Sequence, residues 1–254
     1  MTIVSTTVWQ VLTLRATAFV PPDAPTLPSE WWAQLVGLPP ENVISRPRLG
    51  QRQQDGSFEG RKLTLQIQPE RIDWMFVPAN IERPEELGEG LPSAGSLPDV
   101  LGPFCKLILA WIPLAPPVTR LAFGAVLFQP AENRRAGYTQ IAGYLPSVKL
   151  DPDGSSDFLY QINRTRDSRS GIAGLHINRL TKWSVVLIDH VRVEFKRPGV
   201  TTAGSLSLQS ACRLELDINT SPEFVEPLPR ERLQPLFEEL VALGQEIATK
   251  GDVP

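Results

Sequence analysis

The sequence predicts an α+β protein: a largely antiparallel sheet, or sheets, covered by helices. Three observations carry this. Strict two-residue alternation of apolar and polar side chains marks 62–76 and 206–218, as a sheet with one wet face requires. Residues 236–247 carry an apolar stripe at helical spacing. The strands come in runs with few helices between them, which argues against a parallel, crossover-connected sheet.

The elements follow in order as two sequential halves, 1–130 and 131–254, or one continuous domain across both. The first half reads strand, helix, hairpin, helix, strand. Residues 7–20 form a long strand with Val8, Leu12, Leu14, Ala16 and Ala18 on one side. "SEWWAQLVGL" opens a short helix, Ser29 placed to cap it and Gly37 to close it. The polar stretch 45–61 reads as an exposed loop or hairpin tip. In "KLTLQIQPERIDWMFVP", Leu63, Leu65 and Ile67 alternate with polar residues, Pro69-Glu70 turns, and Ile72, Trp74 and Phe76 resume the pattern, making a hairpin. An acidic loop, 82–89, precedes a buried helix in "SLPDVLGPFCKLILAWIPL"; "TRLAFGAVLFQ" is apolar on both faces, as a central strand would be.

The second half reads as strands plus a closing helix. A short helical stretch (133–146) leads to the turn "DPDGSSD". Trp183, Val185, Leu187, Val191, Val193 and Phe195 mark one long strand; Leu206, Leu208, Cys212, Leu214, Leu216 and Ile218 mark another. The final helix buries Leu236, Phe237, Leu240, Val241, Leu243, Gly244 and Ile247, with Pro235 in its first turn and Lys250-Gly251 at its stop. The two halves share a Gln-Ile core and a Trp-containing return strand, an identity too thin to define a repeat.

At 254 residues the chain is long enough for a real core. Its 25 prolines are about twice the ordinary ~5% usage and imply many fixed corners. The N-terminus lacks a signal-peptide pattern, and the longest apolar run, 104–117, falls short of the ~20 residues of a membrane span. Cys105 and Cys212 sit in apolar patterns and read as free thiols. These features point to the cytoplasm and to no membrane.

Phosphate-binding glycine loops, nucleophile elbows and His-Glu-x-x-His are absent from the sequence, so no cofactor and no metal is implied. "DPDGSSD" gathers Asp151, Asp153 and Asp157 but places Gly154 fourth and lacks the twelfth-position Glu of a calcium loop, leaving a turn.

The most pointed stretch is "FLYQINRTRDSRSGIAGLHINRLTKWSVVL", 158–187, in which Ile-Asn-Arg occurs twice. Residues 161–197 hold eight Lys or Arg against Asp167, Asp189 and Glu194, a local charge of +5 in a chain of formal charge −3. Both copies read as strand, joined by a Gly-containing tip. Asn163, His176 and Asn178 share a face on such a hairpin, with Arg164, Arg166 and Arg169 near the tip and Arg179 and Lys182 beyond. The set suits an anionic ligand or an acidic partner, beside the plainer reading of a solvated hairpin. Asp189 falls on the apolar side of its strand, so an internal partner or a bulge at 188–190 is expected; with His190 it makes a polar pair capable of acid–base work.

The chain length, the early hairpin and a late strand ending in "LELDINT" before a terminal helix resemble a sporadically distributed family of bacterial proteins, which implies a bacterial accessory protein. The expected function is a non-catalytic protein-interaction module: an adaptor, a chaperone-like partner or a subunit of a larger assembly. Its partner is another protein or a second copy, with 82–89 meeting 161–182. One alternative is a small-ligand-binding or hydrolytic enzyme using Asp189, His190 and His176. Another, favoured less by the negative total charge, is a nucleic-acid-associated subunit using 161–182.

Overall fold

A computed structural model describes residues 8–22, 30–79, 91–196 and 200–252, with 188–196 and 200–208 described by backbone alone. The first half runs β1 (Gln10–Phe19), α1 (Trp31–Val36), β2 (Asn42–Arg46), β3 (Gln51–Phe58), β4 (Arg61–Gln68), β5 (Arg71–Val77) and α2 (Leu97–Trp111). The second runs β6 (Arg120–Ala131), α3 (Arg134–Ala142), β7 (Leu159–Asn163), β8 (Arg166–Asp167), β9 (His176–Lys196), β10 (Val200–Thr220) and α4 (Leu233–Lys250).

All strands join one sheet in the order β2-β3-β4-β5-β1-β6-β10-β9-β7, with the two-residue β8 continuing beside β9. Every pairing between these strands is antiparallel. The mixed α+β class read from the sequence is therefore correct. The order is also palindromic. β1 and β6 pair at the centre; outward from them follow β5, β4 and β3 on one side and β10, β9 and β7 on the other. Each half has the order strand, helix, strands, helix, and β2 and the two-residue β8 are the described strands outside the matched pairs.

One face of the sheet carries the helices. Leu14, Ala16 and Ala18 of β1 share it with Ile72, Trp74 and Phe76 of β5 and with Leu121 and Phe123 of β6, all buried. Trp32 of α1 stacks on Trp74, and Phe104 of α2 meets Phe76 edge-on. Gly137 of α3 brings its carbonyl to the Cys212 thiol at 3.1 Å, and Gly244 lets α4 close on Phe123 and Leu216. With its 3-10 extension, α2 forms an 18-residue stretch, Leu97–Leu114, which by length and composition alone would suit a bilayer. In the fold, Val100, Phe104, Ile108 and Trp111 of this stretch are buried in the core.

Several local expectations need correction. A register shift at Leu12 flips the start of β1, so Trp9 and Val11 are buried and Val8 is exposed, the reverse of a uniform alternation. The stretch 45–61 is not a loop: β2 and β3 extend the sheet there, their polar side chains suiting strands at a wet edge. Gly37 does close α1 in the left-handed conformation, but the N-cap residue is Glu30, without a side-chain bond; Ser29 lies outside the described residues. The loop 82–89 lies outside them too. The bulge expected at 188–190 sits across the ladder, in β10, between Ser205 and Ser207 and opposite Val191 and His190.

Candidate functional site

The Ile-Asn-Arg hairpin forms as read, with β7 and β8 laid along β9. Asn163, Asn178 and His176 share the sheet face that the helices leave uncovered. Asn163 donates to Asn178 Oδ1 at 3.0 Å, and Asn178 donates to Asn219 Oδ1 at 3.2 Å. His176 Nδ1 lies 2.9 Å from Asp167 Oδ1, an exposed pair at the rim of the sheet.

The basic residues do not gather at a free tip. Arg164 turns to the helix side and grips Asp252 with two bonds, Nε to Oδ1 at 2.6 Å and Nη2 to Oδ2 at 2.8 Å. Tyr160 donates to the same carboxylate at 2.9 Å. These donors, Arg164 first, hold the Asp252 carboxyl below its usual range despite burial. Arg179 is buried on that side, donates to the Arg164 carbonyl at 3.1 Å, and is pushed down by desolvation and by Arg166. The reason is parity: Arg179 alternates in step with Ile177, Thr181 and Trp183, all buried beneath the helix layer. Arg166 stands near Glu246, whose carboxyl is lowered chiefly by Lys250. Arg169 projects outward, while its backbone N–H and the Ser168 hydroxyl hold Glu239 at 2.8 Å each, stapling the tip to α4. Lys182 is on the uncovered face. The side chains of Asp189 and His190 lie outside the described residues.

Neither cysteine is an activated nucleophile: burial pushes the Cys212 thiol up to about 12 and the Cys105 thiol up to about 11.

The uncovered face has a centre that the sequence reading missed. A depression of about 430 Å³ spans six strands there, from Met75 on β5 to Gln161 on β7. Its floor is β6, which lines it with Gly124, Ala125 and Val126. Arg15 pairs with Gly124 from one side and Asp217 from the other, forming a row across three adjacent strands. The neighbouring charges are consumed internally. Arg71 clamps the buried Asp73 at 2.7 and 2.9 Å, and Thr17 adds a bond at 2.6 Å. Glu215 is shared by Lys182 and Arg213, each at 3.3 Å. Among the described residues, Arg15 has a 4.0 Å approach to Asp73 and no closer ion pair, its side chain 37% exposed. Asp217 accepts from the Asn219 amide at 3.0 Å. Glycine in the middle of a central strand is the signal that could have pointed here, because it commonly marks close approach by a ligand or another chain.

His176 does not line this depression. Among the described residues, no three His, Cys, Asp or Glu side chains cluster as a metal site would need. Comparison with known proteins finds no matching family, no matching curated protein and no matching solved structure.

Proposed function

We propose that the chain is a non-catalytic interaction module of the bacterial cytoplasm, an adaptor or assembly subunit that receives a protein partner on the uncovered face of its sheet. The observation that supports this is the one-sidedness of the fold. Among the described residues, a sheet this wide has all four helices on one face, and the other displays a mixed-charge depression. Proteins place recognition on surfaces held by rigid scaffolds, and here β1, β6 and β10 supply one. The hairpin 158–187 then belongs to the scaffold, with Asn163, Asn178 and Lys182 at one side of the docking face.

Site-specific photo-crosslinking in the native host tests this. A benzophenone side chain at Met75 or Val126, on the open face, is expected to give one discrete adduct, and the same group at exposed Gln245 on α4 none. Adducts from position 245 alone, or from none of the three, would overturn the proposal.

A further inference from the structure

We infer that the depression over Gly124 is a binding site for a short peptide-like zwitterion, its carboxylate held by Arg15 and its ammonium by Asp217. This stands independently of the protein-partner proposal, since it requires only a small ligand.

Charge balance is the first support. Among the described residues, once the pairs of Asp73 with Arg71 and of Glu215 with Lys182 and Arg213 are set aside, the rim keeps Arg15, with its 4.0 Å approach to Asp73, and Asp217, which also faces Arg71. Among the described residues, no ion pair or hydrogen bond joins Arg15 to Asp217. A bare anion settling on Arg15 would meet Asp217 as a repelling neighbour, and a bare cation on Asp217 would meet Arg15. A ligand carrying both signs satisfies both.

Gly124 is the second support. Its backbone does not require glycine, and an added Cβ would meet Arg15 Nε at 3.4 Å and the Leu216 carbonyl at 3.6 Å, ordinary contacts. Alanine would therefore fit the fold, and what glycine provides is a close seat on β6 for the Arg15 guanidinium, which lies in contact over it. Glycine costs strand stability relative to residues with side chains, so its place in β6 is explained by what approaches it.

Dimensions set the ligand class. Arg15 and Asp217 sit two strand spacings apart, roughly 9.5 Å between Cα atoms, with the guanidinium leaning inward over Gly124. That lean makes the gap between the charges shorter than the Cα spacing, and an extended chain advances about 3.3 Å per residue, so about two residues place their charged ends on the two partners. Met75, Val126 and Leu180 offer apolar contact to an aliphatic side chain, and Thr13 and Gln161 offer hydrogen bonds to a peptide amide.

The test is an NMR titration of the folded chain, following the Gly124 amide, with L-alanyl-L-leucine at millimolar concentration. Its N-acetylated form, its C-amidated form and sodium acetate are run in parallel. A saturable Gly124 shift with the free dipeptide is expected, with affinity lowered about tenfold or more by either cap. R15Q should reproduce the loss caused by C-amidation, and D217N the loss caused by N-acetylation. The capped ligands need no altered protein, so misfolding of a variant does not blur the result. No shift with the free dipeptide, equal binding of both capped forms, or an equal response to acetate would each overturn the inference.

Discussion

The two halves of this molecule share one order of elements and are locked by opposite chemistries. The first is held by tryptophan. Trp32 stacks on Trp74 at 6.3 Å, Trp111 meets Trp74 edge-on at 6.2 Å, and Trp31 meets Trp111 edge-on at 5.7 Å. Among the described residues, the buried indole N–H groups of Trp32, Trp74 and Trp111 have no hydrogen-bond partner, a cost that the packed rings outweigh. The second half also has an aromatic centre, Trp183 stacked on Tyr144 at 5.5 Å. It is closed, however, by a polar clamp: Arg164 and Tyr160 on Asp252, just past α4. Gly251 positions that clamp at φ +84°, close against the Tyr144 carbonyl where a Cβ would collide. The same topology is thus fixed in one place by area and in another by geometry, and only the second mode responds to pH.

Removing the ring that both Trp32 and Trp111 touch is the strongest way to break the comparison. Trp74→Ala should cost about 3–5 kcal/mol, the range for large-to-small aromatic truncation in a core. Urea unfolding monitored by circular dichroism would measure it. The loss should be flat with pH, because no titrating group takes part.

Asp252→Asn should cost less, about 1.5–3 kcal/mol, the worth of hydrogen bonds to a charged group. Its pH dependence is the sharper signature. The folded carboxyl titrates below its ordinary value of about 3.9. The clamp's contribution is therefore complete above that pH and disappears as pH falls through the lower, folded value. Stability of wild type minus variant, measured across acid titration, should be constant near neutrality and shrink below pH ~4. A difference that stayed flat into acid would place the second half in the same class as the first.

The smallest effect belongs to Lys250→Ala, which removes an exposed i,i+4 pair with Glu246 at 2.9 Å. It should cost no more than about 0.5 kcal/mol in the same urea experiment. Together with Asp252→Asn, it separates the contribution of a buried, doubly bonded charge from that of charge alone.

What the sequence disclosed was whatever repeats along the chain. Alternation gave β4, β5, β9 and β10, and the helical stripe gave α4, because both patterns reflect burial on one face. It failed where a single residue breaks the period, as at Leu12, where one bulge exchanges the faces for Trp9 and Val11. It also failed where polarity suggested a loop, since β2 and β3 are strands whose side chains meet water or each other. Arg179 was misjudged because charge implied exposure, whereas its step with Ile177 and Trp183 already set its direction. The central depression was the least legible feature. Arg15, Gly124 and Asp217 are each unremarkable in their own segments and become a row only through the pairing of β1, β6 and β10.

The palindromic strand order has a geometric consequence. A chain comprising only the first half would leave β1 bare along its ten residues, beside an otherwise finished sheet. The strand best matched to cover it is β1 of a twin, running antiparallel as β6 does now. Fusion of two such twins would need only a short connection like 115–119, where α2 and its extension hand over to β6. In this chain the two flanks differ, with β2 on one side and the Asp252 clamp on the other, while Gly124 sits at the seam where β6 meets β1.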